Sequence, residues 1–275
     1  MVILQLHKRD LTNPRSTYLR AFRDNVTSQC GEDGILRKIF SLIGTTNKYC
    51  VEFGAWDGKL FSNVYSLLTN GGWTGTLIEG NPQKFPELER TYASRSDLKL
   101  VNRFVDLGAN RLDEILTAAQ APAAPDLVSI DIDGMDWYVW RSVTRFRPRV
   151  VIVEFNPSIP NDVSFVQEEN FSFNHGCSLR ALVALAKEKC YELVATTDWN
   201  AFFAEESEFP KFQIADNSID AMHDGSDYQT KFFQLYDGTL VIAGCTRLLW
   251  KGWPICLEDI QVVPLALRRF EDAAH

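Results

Sequence analysis

No apolar run in this 275-residue chain approaches the roughly 18–20 residues needed to cross a bilayer, so a membrane-spanning helix is not expected. The six cysteines, Cys30, Cys50, Cys177, Cys190, Cys245 and Cys256, include no CxxC pair and no Cys/His cluster of zinc-binding spacing. They read as reduced, mostly buried thiols in a cytoplasmic protein. An excess of positive charge is also lacking. A formal net charge of -8 and a pI near 5.1 provide no chain-wide field for phosphate backbones or anionic lipid, so neither nucleic acid nor membrane is an expected partner. The local group Arg141, Arg145, Arg147 and Arg149 reads as a solvated edge beside a strand. The apolar "MVILQL" at the start is followed rather than preceded by basic residues and has no small-residue cleavage site, so a signal peptide is not expected. There is no low-complexity tract and no repeat of solenoid period.

What is present is an alternation of short apolar runs with amphipathic stretches. Runs bounded by glycine, proline or acids lie at Tyr49 to Phe53, Gly75 to Ile78, Leu98 to Val105, Asp126 to Ile132 and Arg149 to Phe155. Helical patterns separate them at Ser62 to Asn70, Pro82 to Ser94, Arg111 to Gln120 and Trp137 to Thr144. Repeated βα of this kind predicts an α/β fold, a parallel sheet covered on both faces. A further helix, Ser178 to Lys189 with Ser178 as N-cap, leads to strand-like "YELVATT" and "NAFFAEE". The polar segment from Asn156 to Gly176 is long for a connection and suits a lid or substrate loop. Beyond about Glu205 the pattern loosens into "LYDGTLVIAG", a strand pair or turn, and a tryptophan-rich cap.

The stretch "VEFGAWDGKLFSN" starts as a buried strand and then breaks into acids and glycines. Open parallel sheets bind ligands beyond the carboxyl ends of their strands, where Glu52, Gly54, Asp57 and Gly58 sit. The two glycines would permit close backbone approach, and the two acids put negative charge there. Neither a phosphate loop with its lysine nor a GxGxxG dinucleotide turn is present. The next strand, "GTLIEGNP", ends at Glu79, placed to accept two ribose hydroxyls; the third, "NRFVDLG", ends at Asp106, placed to receive an adenine amino group. Three acids at three strand ends favour a nucleoside ligand carrying positive charge, and S-adenosylmethionine fits.

With "SQCGEDGIL" (Ser28 to Leu36), "LIEGNP", "SIDIDGMDWYVW" (Ser129 to Trp140) and "VVIVEFNPSIP" (Val151 to Pro160), the chain resembles the FkbM-like family of class I S-adenosylmethionine-dependent methyltransferases. The resemblance covers about Ser28 to Phe203. It implies a Rossmann-like, seven-stranded, mostly parallel sheet with a C-terminal cap: residues 1–48 as an N-terminal helical segment contributing to the cofactor pocket, 49–204 as the core and 205–275 as the cap. It implies cofactor contacts from Gln29, Glu32, Glu52, Gly54, Ala55, Trp56, Asp57, Gly58, Asn63, Glu79, Gly80, Asn81, Asp106 and Asp131. The implied activity is methyl transfer to a small-molecule hydroxyl of a natural product or sugar. Several relatives carry "DVEG" where this chain has "DIDG", a departure that leaves the role of Asp133 open. "SQCGEDGIL" can also be read as a helix start capped by Ser28 or Glu32.

In an extended segment side chains alternate, so Asp131 and Asp133 share one side, and Glu154 and Asn156 do the same one strand over. Such an all-oxygen set suits Mg²⁺; without a metal the same groups would orient substrate. His175, at the end of the long loop, is the candidate general base, with His223 a weaker one. Trp56, Trp137, Trp140, Trp250 and Trp253 could wall an apolar or aromatic substrate, but core packing explains most of them better, and only Trp56, inside the cofactor loop, is a candidate site residue. "DIDGMD" also looks like the DxDG of haloacid-dehalogenase-type phosphatases, but that motif sits on the first core strand and needs a later lysine and acid pair, and here several strands precede it; a DxD glycosyltransferase would use the same two acids and leave Glu52, Glu79 and Asp106 unexplained. A fold of this class that binds cofactor without turnover, as a scaffold, is the non-enzymatic alternative. A homodimer contact through "MVILQL" and the tail tryptophans is a further expectation.

Overall fold

The computed structural model describes residues 4–8, 13–249 and 251–268; part of the N-terminal run, Trp250 and the last residues of the tail lie outside them. Seven strands form the main sheet: β1 (Tyr49–Phe53), β2 (Thr74–Glu79), β3 (Lys99–Asn102), β4 (Leu127–Ile130), β5 (Val150–Glu154), β6 (Tyr191–Thr196) and β7 (Asn200–Glu205). Their order across the sheet is β3-β2-β1-β4-β5-β7-β6. All pairs are parallel except those of β7, which runs antiparallel to both β5 and β6. This is the Rossmann-like α/β architecture. The chain winds outward from β1 to β3 and then returns to β4 on the other side of β1. The carboxyl ends of β1 and β4 therefore diverge and leave a crevice between their loops.

Alternation along each strand supplies both faces of the core. In β1, Val51 and Phe53 join one apolar cluster and Cys50 the other; in β5, Val151 and Val153 oppose Val150 and Ile152 in the same way. One face is covered by α4 (Leu112–Ala118), α5 (Asp136–Ser142) and α6 (Leu179–Glu188), through Leu116, Val139, Trp140 and Leu182. The other is covered by α1 (Glu32–Ile43), α2 (Tyr65–Asn70) and α3 (Phe85–Thr91), through Ile35, Ile39, Leu68 and Leu88. Each fully buried side chain of this size contributes about 1.5–3 kcal/mol relative to exposure. Ser178 caps α6 as its sequence position predicts, accepting the Ala181 N–H at 3.2 Å.

The helix in "SQCGEDGIL" begins at Glu32 behind Gly31, whose φ of 94° is the left-handed region. Glycine is required there, because a Cβ would lie 2.5 Å from that of Arg23. The Ser28 hydroxyl accepts the Asp33 N–H at 3.1 Å, so it satisfies a first-turn donor without being the N-cap residue.

Strand β3 is shorter than its apolar run. The chain leaves the sheet after Asn102, and Phe104 and Val105 turn to line a cavity. Arg149 is not part of a solvated edge. Its guanidinium is 11% exposed, pairs with Asp126 at 2.8 Å and Glu208 at 2.7 Å, and donates to the carbonyls of Ile43 and Gly44 at the end of α1. The cysteines are all free thiols, but only Cys50 and Cys177 are buried, and Cys190 and Cys256 are exposed.

Core packing continues past residue 204. Phe212, in a 3-10 turn (Phe209–Phe212), and Met222, in α7 (Ile219–Met222), are both buried in the clusters of the sheet. Beyond them a two-stranded antiparallel ribbon, β8 (Thr230–Gln234) and β9 (Leu240–Gly244), precedes the short α8 (Leu257–Ile260). Among the described residues, no helix is long and apolar enough to cross a membrane.

Candidate functional site

The crevice holds two adjoining cavities, which share Asp133 and Asn174 as wall residues. The smaller, of about 280 Å³, lies over the ends of β1, β2 and β4. Gly54, Glu79, Gly80 and Asn81 form one side, Phe104 and Val105 a second, and Phe171 and Phe173 of the long loop a third. Phe104 and Phe171 meet edge to face at 5.0 Å, so the loop reaches across to the β3 end.

Glu79 is the organised acid of this cavity. It is 5% exposed, and its two oxygens accept the backbone N–H groups of Trp56 and Asn81, both at 2.6 Å. Those bonds fix the carboxylate while leaving lone pairs free for further donors, because each oxygen can accept two. A vicinal diol is the donor pair that matches two oxygens held in one plane.

The other acids at the strand ends are occupied differently. Glu52 is buried and does not reach the cavity; it accepts the Ser62 hydroxyl at 2.7 Å and the Asn63 N–H at 2.8 Å, and so ties the β1 end to the start of α2. Asn63, also buried, donates its side-chain amide to Ser129 on β4 at 3.1 Å. Asp57 accepts the N–H groups of Lys59 and Leu60 at 2.9 and 2.7 Å in a local turn. Asp106 accepts from Gly108 and Asn110, each backbone N–H at 2.8 Å, and the Asn110 side chain adds a third bond at 3.0 Å. Neither Asp57 nor Asp106 lines the cavity. Local N–H groups engage both, because each acid lies four residues past its strand end, inside the following turn and within reach of that turn's donors.

The glycines also answer to the protein first. A Cβ at Gly54, where φ is 73°, would lie 1.8 Å from the Asp131 carbonyl oxygen, so the close approach is between β1 and β4 loops, although Gly54 still borders the cavity. Gly58 is packed against Leu88 and Tyr92 of the α3 region, not against a ligand space. Ala55 is buried and donates its N–H to Ile78 at 3.1 Å; Trp56 is exposed, with the Lys84 ammonium 4.6 Å above its ring.

Glu32 and Gln29 do not enter either cavity. Glu32 is fully buried and accepts from Thr197 at 2.7 Å, from Asn200 at 3.3 Å and from the Cys30 N–H at 2.6 Å, which fastens the N-terminal segment to the β6–β7 turn. The Gln29 side chain is exposed and its carbonyl accepts from Asn25.

The larger cavity, of about 810 Å³, opens beyond β4 and β5. Its lining combines Asp133, Asp136 and Glu154 with Asn156, Ser158 and His175 of the β5 end and long loop, and with Trp199, Tyr228, Thr230, Arg247, Lys251 and Trp253 from later in the chain. Carboxylate oxygens of Asp131, Asp133 and Glu154 all lie within 4.8 Å of one another. Burial and then the charges of Asp136 and Asp133 push the Asp131 carboxyl well above its usual range, and burial with the charges of Asp131 and Asp136 does the same to Glu154. Asp136, pushed up to about 6 by burial, holds the loop by accepting the N–H groups of Ile132 and Gly134 at 2.9 Å. Asp133 itself sits at φ 55°, a left-handed position just before Gly134.

Asn156 does not complete this set. Its carbonyl oxygen accepts both the N–H and the hydroxyl of Ser158, at 3.0 and 2.6 Å, and its amide donates to the His175 carbonyl at 2.9 Å. Both polar atoms of the side chain are therefore engaged in closing the long loop. The loop is fastened again by Gln167, whose side-chain oxygen accepts the N–H groups of His175 and Gly176 at 2.9 Å. His175 is exposed at the cavity wall, with its ring stacked on Phe173 at 5.7 Å. His223 is buried against the Phe155 ring, away from both cavities.

Sequence reasoning missed Trp199, Tyr228, Arg247 and Lys251, and it assigned Trp253 to packing although it is 61% exposed on the cavity wall. No local motif marks these positions; the sheet and the C-terminal turn bring them to the β5 end.

No protein-family model and no curated protein matches the sequence. Among solved structures, the chain is similar to the N-terminal domain of EvdMO1 with SAH bound, at 14% identity over 62% of this chain and 78% of that one, with a TM-score of 0.41. It is similar to an S-adenosylmethionine-dependent methyltransferase from Clostridium acetobutylicum at 10% identity, 63% and 90% coverage and a TM-score of 0.42. The CurJ carbon methyltransferase gives 8% identity, 68% and 57% coverage and a TM-score of 0.43. The fold class rests on the strand order itself, and these likenesses assign no role to any residue.

Proposed function

We propose that this chain is an S-adenosylmethionine-dependent methyltransferase of the FkbM-like kind, acting on a hydroxyl of a small molecule in the larger cavity. The observation that carries the reading is Glu79: a buried carboxylate, held by two backbone N–H groups at 2.6 Å, facing a cavity of about 280 Å³ with aromatic walls at the sheet's switch point. These residues fit a nucleoside. Glu79 would take the ribose hydroxyls, and Phe104, Val105, Phe171 and Phe173 would enclose a flat base between apolar groups. The adjoining acids would face the positively charged end of the ligand. S-adenosylmethionine supplies an electrophilic methyl group when bound.

Asp131, Asp133 and Glu154 also fit a hard divalent cation. Their three oxygens lie within 4.8 Å, with no cation paired to any of them among the described residues. Such an ion supplies charge that lowers the pKa of a nearby hydroxyl. The protein's own contribution is to orient the acceptor between Ser158, Asn174 and the aromatic wall, and to offer the His175 imidazole at that wall to take a proton. The Phe104–Phe171 contact would keep water from the nucleoside side.

Calorimetric titration with S-adenosylhomocysteine, with and without Mg²⁺, tests this reading. Micromolar binding that weakens more than about tenfold in Glu79→Ala is expected, since a charged hydrogen-bond acceptor is lost. Absence of binding by the wild-type protein, or unchanged affinity in Glu79→Ala, refutes it.

A further inference from the structure

The lining of the larger cavity includes two cations, Arg247 and Lys251, in a chain whose net charge is -8. Arg247 and Lys251 both come from a single turn after β9. The turn is built: the Leu248 N–H donates to the Trp253 carbonyl at 2.7 Å, the Gly252 N–H to the Leu248 carbonyl at 2.9 Å, and Arg247 and Pro254 form a β-bridge. Arg247 Nη1 donates to the Gly252 carbonyl at 2.9 Å, which braces the guanidinium and leaves most of its donors unused. The Lys251 ammonium lies 5.3 Å above the Trp253 ring. Among the described residues neither cation is in an ion pair.

The acids of the cavity do not neutralise them. Asp133 and Glu154 line the same cavity, yet neither comes within ion-pair distance of Arg247 or Lys251. The same cavity is lined by the Trp199 and Tyr228 rings, 5.1 Å apart, and by Ser158 and Thr230. A cavity of about 810 Å³ lined by two cations and by carboxylates outside ion-pair distance of them is matched by a ligand carrying an anion at one point and hydroxyls at another.

We infer that Arg247 and Lys251 bind an anionic group, carboxylate or phosphate, so that the molecule taken by this cavity is a hydroxylated anion. That it is methylated there rests on the function proposed above; that it binds there does not. A planar guanidinium beside an ammonium gives bidentate and point-charge contacts to the anion. The hydroxyl end is then directed toward Asp133, Glu154 and His175.

The test is ligand-observed NMR titration of the full chain with matched pairs: glucuronate and glucose, protocatechuate and catechol, glycerol phosphate and glycerol. In at least one pair the anionic member is expected to bind about tenfold or more tightly than its neutral counterpart. The preference should vanish in Arg247→Ala/Lys251→Ala and persist in the charge-conserving Arg247→Lys/Lys251→Arg. Which pair responds separates carboxylate from phosphate. The inference is overturned if no anionic member binds more tightly than its counterpart, including if none binds, or if the preference survives the double alanine variant. S-adenosylhomocysteine affinity, read on the same samples, separates the two ideas. Anion preference without nucleoside binding refutes the methyltransferase reading and leaves this site standing, and nucleoside binding without anion preference does the reverse.

Discussion

Replacing Glu52 by glutamine should stabilise the protein above neutral pH, by an amount that follows from where the side chain sits. Glu52 is 4% exposed, and burial pushes its carboxyl from 4.5 up to about 7, against the opposing bonds from Ser62 and Asn63. A raised folded-state pKa means that the folded protein holds the proton more tightly than the unfolded chain does. Stability from this group is therefore full below pH 4.5 and is lost as pH rises toward 7. At 1.36 kcal/mol per pH unit the loss amounts to about 3 kcal/mol once the group is ionised in both states. Glutamine avoids that loss. Its oxygen can accept both the Asn63 N–H and the Ser62 hydroxyl, as the carboxylate does through its two oxygens, because the Ser62 oxygen already accepts the Val64 and Tyr65 N–H groups. Urea unfolding of both proteins from pH 4 to pH 8, followed by tryptophan fluorescence, should show nearly equal midpoints at the acid end, with Glu52→Gln gaining between pH 4.5 and about 7 and levelling off above. A variant less stable than wild type at pH 8, or a difference independent of pH, refutes the reasoning. Because Glu52 does not line the nucleoside cavity, S-adenosylhomocysteine affinity should not change.

Other outcomes follow from the same contacts. Gly54→Ala places a Cβ 1.8 Å from the Asp131 carbonyl at a left-handed position and should cost about 2–5 kcal/mol, read as a lowered urea midpoint. Arg149→Ala breaks the buried pairs with Asp126 and Glu208 and strips partners from the end of α1, for a loss of about 3–5 kcal/mol in the same assay. Asp106→Asn should leave S-adenosylhomocysteine affinity unchanged by calorimetry, because the carboxylate serves the turn at Gly108 and Asn110. Mg²⁺ at a hundred times its Kd should raise the stability of the wild-type protein by about 2.7 kcal/mol and that of Glu154→Gln much less, as measured by thermal melts with and without chelator.

The alternation of apolar runs with amphipathic stretches was sufficient to locate the parallel strands, because a strand buried on both faces must be apolar throughout, but the half-exposed β3 stops at Asn102, short of its run. The β1 run was legible to the residue, and the end of β2 at Glu79 identified the acid that does line the nucleoside cavity. Acids at strand ends look alike in one dimension, however. Glu52, Asp57, Asp106 and Glu79 share that position, and only the pairing of each carboxylate with particular N–H groups or hydroxyls separates those that serve turns from the one that faces a cavity. The glycines of the opening motif were equally ambiguous, since what crowds Gly54 and Gly58 is backbone and side chain from elsewhere in the chain. The large cavity was least visible of all. Asp133 and Glu154 were found by strand periodicity, but Trp199, Tyr228, Arg247 and Lys251 reach them from segments far along the chain. Local pattern reports which side of a strand or helix is buried; which distant side chains share a cavity is decided only when the sheet order and the C-terminal turn are set in three dimensions.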